Sequence, residues 1–139
     1  MTIEEVKGLL PHREPFLFID GVTRLEENLI EAWRDVRQDE FYFQGHFPGN
    51  PVLPGVLQIE AIAQAGILLA LARGGELKGR TTLFAGIERA RFRRIVRPGE
   101  RLTIFATILG QKAGVFRIEG SVKVGQELAC EAVLLGALR

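Results

Sequence analysis

Residues 41–64, FYFQGHFPGNPVLPGVLQIEAIAQ, are the part of this chain that indicates most about its fold. Three prolines, Pro48, Pro51 and Pro54, fall within seven residues of its first half. Because proline fixes φ and has no amide N–H, this part is neither a central strand nor the interior of a helix. The pattern predicts a stiff extended loop that leads into a helix, with Pro54 at the helix start, where proline is tolerated.

The helix predicted after this loop covers about residues 55–72 and is apolar on all sides. Polar residues interrupt it at Gln58, Glu60 and Gln64 alone. A helix that is apolar all round is either buried or spans a membrane. Its uninterrupted apolar part, residues 65–72, is shorter than the roughly 20 residues that a span requires. We therefore predict a core helix that is wrapped by other elements.

The rest of the chain predicts mainly strands. A capping box, Thr2 with Glu5, predicts a short helix over residues 3–9. Alternating apolar and polar residues predict strands over 16–25, 29–37, 81–95, 101–110, 114–124 and 127–138. Tight turns between consecutive strands favour antiparallel pairing. These elements predict an α+β fold, in which a curved antiparallel sheet of five to six strands wraps one long central helix.

The composition narrows the class of protein. A length of 139 residues predicts a single domain, 1–139. The net charge of +1 gives no sign of nucleic acid or of a membrane surface as a partner. One cysteine, Cys130, excludes an internal disulfide and fits a reducing compartment. The first ten residues carry early acids and no long apolar core, so a signal peptide is not expected, and we predict a cytoplasmic protein.

His46 and Glu60 are candidates for acid–base chemistry. An imidazole is a common general base near neutral pH. Glu60 lies between Ile59 and Ala61 in an apolar helix, where desolvation raises the pKa of a carboxyl group and keeps its proton. The Gly55 amide belongs to the unpaired N–H groups of a helix N-terminus, which favour developing negative charge. The alternatives are a loop histidine bonded to backbone and a buried acid paired with an arginine.

Several segments together resemble the 3-hydroxyacyl-acyl carrier protein dehydratases of bacterial type II fatty acid synthesis. They are PHREPFLFID (11–20), FQGHFPGNPVLPGVLQIEAIAQ (43–64), FAGIERARFRRIVRPGE (84–100) and the closing strands. The block GHFPxxPxxPGVLxxEAxAQ is long and specific. The resemblance implies the hot-dog fold and dimers whose sheets join, commonly arranged as trimers of dimers. It also implies a partner, an acyl carrier protein with a phosphopantetheine-linked acyl chain.

The same resemblance implies roles for single residues. His46 matches the catalytic histidine, and Glu60 matches the catalytic glutamate, which reaches the active site of the neighbouring subunit. Gly55 matches the amide that holds the thioester carbonyl, and Gln64 matches a glutamine beside the glutamate. A sister family of dehydratase/isomerases carries aspartate at the position of Glu60, so plain dehydration is favoured. We expect the substrate tunnel to be lined by His12, Phe47, Pro48, Val52 and Val56.

An arginine-rich segment, residues 88–101, is the candidate surface for the carrier protein. Acyl carrier protein is acidic, and a basic patch at the tunnel mouth would steer it. We expect the contacts from Arg91, Arg93, Arg94 and Arg97. The alternative is a solvated strand face, since arginines two residues apart share one side of a strand. DNA binding is disfavoured, because the segment lacks a recognition helix and the chain is nearly neutral.

The predicted reaction is dehydration of 3-hydroxyacyl-acyl carrier protein to the trans-2-enoyl form by a hydro-lyase. A hot-dog thioesterase is one alternative, although thioesterases of this fold usually lack the HFPxxPxxPG loop. A non-catalytic acyl-carrier-protein-binding subunit is another, although such a role does not need both His46 and Glu60. His12 is alternatively a structural turn residue. Two histidines and one cysteine form no metal-ligand pattern, so neither a metal nor an organic cofactor is expected.

Overall fold

The computed structural model describes residues 1–139, apart from the side chain of Glu76. Its helices and strands follow one another as α1 (Ile3–Leu9), β1 (Gly21–Leu25), β2 (Ile30–Asp35), α2 (Gly55–Ala72), β3 (Thr82–Phe92), β4 (Arg101–Lys112), β5 (Val115–Val124) and β6 (Glu127–Leu138). Short 3₁₀ turns lie at Phe41–Gln44 and Gly75–Leu77. The predicted α+β class is confirmed.

The sheet has six strands in the order β1-β2-β4-β5-β6-β3, and every neighbouring pair is antiparallel. Strand β3 pairs with β6 and not with β4, the strand that follows it in the chain. The expectation that neighbours in sequence pair through tight turns is therefore wrong for β3. Because α2 carries the chain across the sheet between β2 and β3, β3 becomes an edge strand.

Two strand boundaries differ from the prediction by three residues or more. The strand expected to start at residue 16 begins at Gly21, and the one expected to reach residue 95 ends at Phe92. The first error has a local cause. Phe18 N–H donates to Gln64 Oε1 over 2.8 Å, and Phe16 O accepts from Gln64 Nε2 over 2.9 Å. The backbone of residues 16–18 is thus bonded to a helix side chain instead of a neighbouring strand.

Helix α2 forms the centre of the core, as its sequence predicts. Every residue from Gln58 to Leu71 is buried except Glu60. The helix packs against β2, β3, β4, β5 and β6. By length and composition α2 would pass as a membrane span, but 72% of it is buried inside the protein, which is the state of a core helix.

Close packing of α2 on the sheet requires glycine at particular places. A Cβ added at Gly66 would lie 2.6 Å from Cδ1 of Ile118 on β5. A Cβ at Gly120 would lie 2.6 Å from the backbone oxygen of Phe105 on β4 and would also meet the Ile62 side chain. Real Cβ contacts are longer than these, so the two glycines allow the helix and the strands to approach this closely.

Strand β2 alternates as predicted and brings a charged residue inside. Ile30, Ala32 and Val36 are buried on the same face as Arg34, which is 2% exposed. The Arg34 guanidinium lies 3.2 Å from Asp20 and also contacts Glu14 and Glu40. A buried charge is tolerated when it is paired and hydrogen-bonded, as here. This cluster ties the segment that carries His12 to the sheet.

The edge strand β3 exposes an unusual number of apolar side chains. Leu83, Phe84, Ile87 and Phe92 are 43–54% exposed. A long edge strand with apolar side chains and unpaired backbone groups is a ready template for pairing with another chain. The two ends of β3 also border the two cavities of the candidate site.

Candidate active site

His46 lies in the proline-rich loop, just after the 3₁₀ turn Phe41–Gln44. Its Nδ1 is 2.8 Å from the backbone oxygen of Val52. Since a carbonyl oxygen only accepts, Nδ1 must donate, and in the neutral ring Nε2 keeps its lone pair. The ring also stacks on Phe47, with centroids 4.2 Å apart. The local structure therefore selects the tautomer in which Nε2 is the nitrogen that accepts a proton.

The loop that carries His46 is held in place by residues 96 and 97. Arg97 Nη1 donates to Asn50 Oδ1 over 2.8 Å and lies 3.4 Å from the Pro51 oxygen. Leu53 N–H donates to the Val96 oxygen over 2.8 Å. These bonds connect segments about forty-five residues apart in sequence. They fix the loop against the end of the sheet.

The His46 cavity, about 500 Å³ in volume, lies between this loop and the start of α2. Its walls include His46, Val52, Gly55, Val56, Gln58 and Phe92. Pro54 stands at the N-cap position and no described side chain caps the helix, so first-turn N–H groups remain available. A Cβ at Gly55 would lie 2.8 Å from the Phe92 ring, so glycine permits this ring to cover the helix start.

Glu60 lines a different and smaller cavity. This Glu60 cavity is about 60 Å³ in volume, and its walls include His12, Ala63, Gln64, Ile67 and Phe84. The Glu60 side chain is 15% exposed. Burial raises the pKa of its carboxyl group, and the hydrogen bond from Gln64 opposes that shift. A larger fraction of Glu60 is therefore protonated at a given pH than of an exposed glutamate.

The Gln64 side-chain amide has a fixed orientation, because it makes three hydrogen bonds. Its Oε1 accepts from Phe18 N–H, and its Nε2 donates to Phe16 O. The same Nε2 donates to Glu60 Oε2 over 3.0 Å. Gln64 is 1% exposed, so water does not compete for these groups. The amide thus holds one oxygen of the Glu60 carboxyl group and leaves the other free.

His12 faces Glu60 from the other side of the same cavity. Its Nε2 lies 3.7 Å from Glu60 Oε2 and 3.5 Å from Thr82 Oγ1. Burial lowers the pKa of His12, with a smaller contribution from neighbouring Arg13. Since burial also raises the pKa of Glu60, both groups favour their neutral forms. Both directions weaken an ion pair between the two side chains, although their distance allows one.

Within one chain the structure does not bring His46 and Glu60 together. Among the described residues, the walls of their two cavities have no member in common. Val52 and Val56 accompany His46, whereas His12 accompanies Glu60. The other two expected tunnel residues lie elsewhere. Phe47 is half exposed and borders a surface groove, and Pro48 is exposed in the loop.

The arginines expected to bind a carrier protein differ in their surroundings. Arg93 donates to Glu131 over 2.8 Å. Arg94 donates to both oxygens of Glu100, over 3.0 and 2.6 Å, and also reaches Glu127. Arg97 anchors the His46 loop. Arg91 is exposed, and its Nη1 lies 3.5 Å from the Ala90 oxygen.

Sequence reasoning missed Phe92 and Gln58, and it gave Arg97 a different role, contact with a carrier protein. Phe92 covers the helix start, Arg97 anchors the loop, and Gln58 is buried in the His46 cavity. Only Gln58 carried a signal, as a polar residue in an otherwise apolar helix. The described part of the chain holds no group of three or more His, Cys, Asp or Glu residues placed to bind a metal ion.

Comparison with known proteins adds to this geometry. Residues 10–133 match the FabA-like domain family. A curated relative from Chloroflexus aggregans, named 3-hydroxyacyl-[acyl-carrier-protein] dehydratase FabZ, is 44% identical over 139 residues, which cover 99% of this chain and 96% of the relative. That length of alignment includes both cavities.

Solved structures with similar backbones include dehydratases and thioesterases. The dehydratase heterocomplex ApeI:P from Xenorhabdus doucetiae matches with a TM-score of 0.81 at 21% identity, over 96% of this chain and 90% of that one. A hypothetical thioesterase with coenzyme A from Streptococcus pneumoniae matches with a TM-score of 0.64 at 9% identity, over 85% and 84%. These likenesses confirm the hot-dog fold, and at such identities they concern the fold alone.

Proposed function

The chain belongs to the FabA-like domain family, and we infer that it dehydrates 3-hydroxyacyl-acyl carrier protein to trans-2-enoyl-acyl carrier protein in fatty acid biosynthesis. The observation that supports this activity most directly is the 44% identity with a dehydratase over nearly the whole of both chains. The free Nε2 of His46 beside an uncapped helix start supports a proton abstraction next to a thioester. No cofactor enters this scheme.

We assign His46 as the base and Gly55 as the source of charge stabilisation. Nε2 of His46 takes the proton from C2 of the 3-hydroxyacyl thioester. The negative charge that develops on the thioester oxygen is met by the Gly55 N–H and by the positive end of the α2 dipole. The electron pair then forms the C2–C3 double bond as the C3–O bond breaks.

Glu60 serves as the acid in this proposal. Its carboxyl group donates a proton to the departing 3-hydroxyl, which leaves as water. Burial favours the protonated form that this step needs. Since Gln64 donates to Oε2, the acidic proton belongs on Oε1, the oxygen that the amide leaves free.

We propose that His46 and Glu60 meet across a two-fold axis. The Glu60 cavity is bordered by Thr82, Leu83 and Phe84, at the start of β3, and the His46 cavity by Phe92, at its end. When an edge strand pairs antiparallel with its own copy, the start of one strand lies beside the end of the other. Pairing of two β3 strands would therefore set the Glu60 cavity of one subunit next to the His46 cavity of its partner.

The same pairing accounts for the exposed apolar side chains of β3. Leu83, Phe84, Ile87 and Phe92 would be covered by the partner. We propose a homodimer with a joined sheet, and a trimer of dimers as its further assembly. In this proposal residues 1–139 act as one dehydratase domain in the cytoplasm, with acyl carrier protein as partner and with neither nucleic acid nor membrane.

A continuous absorbance assay tests the function. With 3-hydroxyacyl-acyl carrier protein as substrate, the ultraviolet absorbance of the enoyl thioester should rise, and crotonyl-coenzyme A should report the reverse hydration. A thiol reagent in a parallel assay detects hydrolysis of the thioester bond. Thiol release without an enoyl signal would identify a thioesterase instead. The absence of both signals would indicate a non-catalytic binding subunit. His46→Ala serves as the matched inactive control.

A further inference from the structure

The Glu60 cavity is closed at one end by a contact between helix α2 and strand β6. Ile67 on α2 and Gly136 on β6 both belong to its walls. A Cβ added at Gly136 would lie 2.9 Å from Cδ1 of Ile67, so the isoleucine side chain lies directly against the β6 backbone. Both residues are buried. The pair therefore forms the floor of the cavity.

The residues that α2 contributes to this cavity share one face of the helix. Glu60, Ala63, Gln64 and Ile67 follow one another along this face, because residues three or four positions apart are neighbours on a helix surface. The described walls do not include Leu71, which lies one turn beyond Ile67 and is buried. The cavity thus runs along α2 from the proposed acid and ends at Ile67.

The proposed chemistry directs the alkyl chain of the substrate into this cavity. The thioester carbonyl is bound in the His46 cavity, and the carrier protein stays outside. C3 lies at Glu60, because that acid protonates the departing hydroxyl. Carbon atoms from C4 onward continue away from the thioester and past Glu60. There Ala63, Ile67 and Phe84 offer apolar walls, against which burial of methylene groups is favourable.

The size of the cavity limits how much alkyl chain it holds. Its volume is about 60 Å³. A cavity of about 150 Å³ holds one benzene molecule with six carbon atoms, so the Glu60 cavity has room for about two or three carbon atoms. Since the first of these is C4, chains of about six carbon atoms fill the cavity. Longer chains must displace the Ile67 side chain from Gly136.

We propose that Ile67, packed on Gly136, sets the acyl-chain length that this enzyme prefers; this inference rests on the proposed dehydratase function. The 3-hydroxybutyryl and 3-hydroxyhexanoyl chains fit the closed cavity. Octanoyl and longer chains need space that Ile67 occupies, and overfilling a close-packed interior is unfavourable. Ile67 is thus a specificity-determining residue for the same reaction, and the preferred class of substrate is the short 3-hydroxyacyl chain.

The dependence of kcat/KM on chain length tests this proposal. The substrates are the even-numbered 3-hydroxyacyl-carrier proteins from butyryl to dodecanoyl, and the enoyl absorbance is measured. For the wild-type chain, kcat/KM should rise up to about fourfold for each methylene that becomes buried and should stop rising beyond hexanoyl. Ile67→Ala removes three carbon atoms from the floor, so this limit should move to about octanoyl. Gly136→Ala adds a methyl carbon against Ile67, so the limit should fall to butyryl.

Ile62→Ala is the matched control, because it makes the same change on α2 at a buried position outside the described walls of both cavities. It should leave the limit at hexanoyl. Thermal unfolding of each variant reports on folding. If Ile67→Ala does not fold, Ile67→Val replaces it. This variant lacks Cδ1, the atom that faces Gly136, and should raise the octanoyl-to-hexanoyl ratio of kcat/KM about fourfold.

An unchanged limit in folded Ile67 variants would overturn the proposal. An equal shift in Ile62→Ala would overturn it too, because looser core packing alone would then explain the result, and so would a wild-type series that rises to dodecanoyl. Failure of the dehydratase function gives a different result, since no chain length then yields an enoyl signal. In that case dissociation constants of saturated acyl-carrier proteins, which cannot be dehydrated, should show the same limit and the same shift in Ile67→Ala, and the absence of either would overturn the inference.

Discussion

Nε2 of Gln64 donates a hydrogen bond to Oε2 of Glu60 over 3.0 Å, and Gln64 lies one turn after Glu60 on α2. Gln64 is in turn held by Phe18 N–H and Phe16 O in the segment before β1. The orientation of the proposed acid thus depends on a segment about fifty residues away in sequence. This chain of bonds makes Gln64 a positioning residue with a measurable influence on Glu60.

Gln64→Met should lower kcat about tenfold or more, because the Glu60 carboxyl group loses its orienting donor. The donor also stabilises the carboxylate, so its removal should raise the pKa of Glu60 further. Since the acid must be protonated, the rate falls as pH rises through this pKa. The descending limb of the kcat profile should therefore move to higher pH in the variant.

The pH profile separates this role from a purely structural one. Loss of the hydrogen bonds to Phe16 and Phe18 alone would lower thermal stability without moving the descending limb of the kcat profile. An unchanged limb in a folded Gln64→Met enzyme would contradict the assignment of Glu60 as the acid that Gln64 orients.

His46→Ala and Glu60→Ala should each be nearly inactive, and a mixture refolded together should regain activity. In a shared site, each mixed dimer contains one intact pair of His46 and Glu60. Random pairing makes about half of the dimers mixed, so about a quarter of wild-type activity should return. Mixing after folding, without exchange of subunits, is the control. Mixed dimers that remain inactive would show that both residues act within one chain.

Arg91→Glu and Arg97→Ala should have different effects. Arg91 is exposed, so its reversal should weaken the use of carrier-protein substrates more than that of crotonyl-coenzyme A. Salt should reduce this difference, because exposed charges are screened within about 10 Å at 0.1 M. Arg97 anchors the His46 loop through Asn50, so Arg97→Ala should lower activity on both substrates alike. If Arg91→Glu lost equal activity on both substrates, Arg91 would not be part of the surface that binds the carrier protein.

Dialysis against EDTA should leave turnover unchanged. The proposed steps use one imidazole, one carboxyl group and a backbone amide, which need no metal ion. The measurement is the enoyl absorbance before and after dialysis, with and without added divalent cations. Activity that disappears and returns with a metal would contradict the mechanism.

Much of the fold was encoded in local patterns. The capping box at Thr2 and Glu5 and the apolar run of α2 predicted both helices with their bounds. These features depend on residues within a few positions of one another, where capping and periodicity act. The lone acid Glu60 in a buried helix likewise predicted a raised pKa, because burial acts on the group itself.

Tertiary structure decided the features that depend on long-range pairing. Helix α2 and most strands could be located from local sequence patterns, and His46, Gly55, Glu60 and Gln64 could be named as candidates. The sequence did not determine that β3 pairs with β6 and becomes an edge, since the backbone groups that pair strands are the same in every strand and do not name the neighbour. The separation of His46 from Glu60 in two cavities follows from that strand order, because opposite ends of β3 border the two cavities.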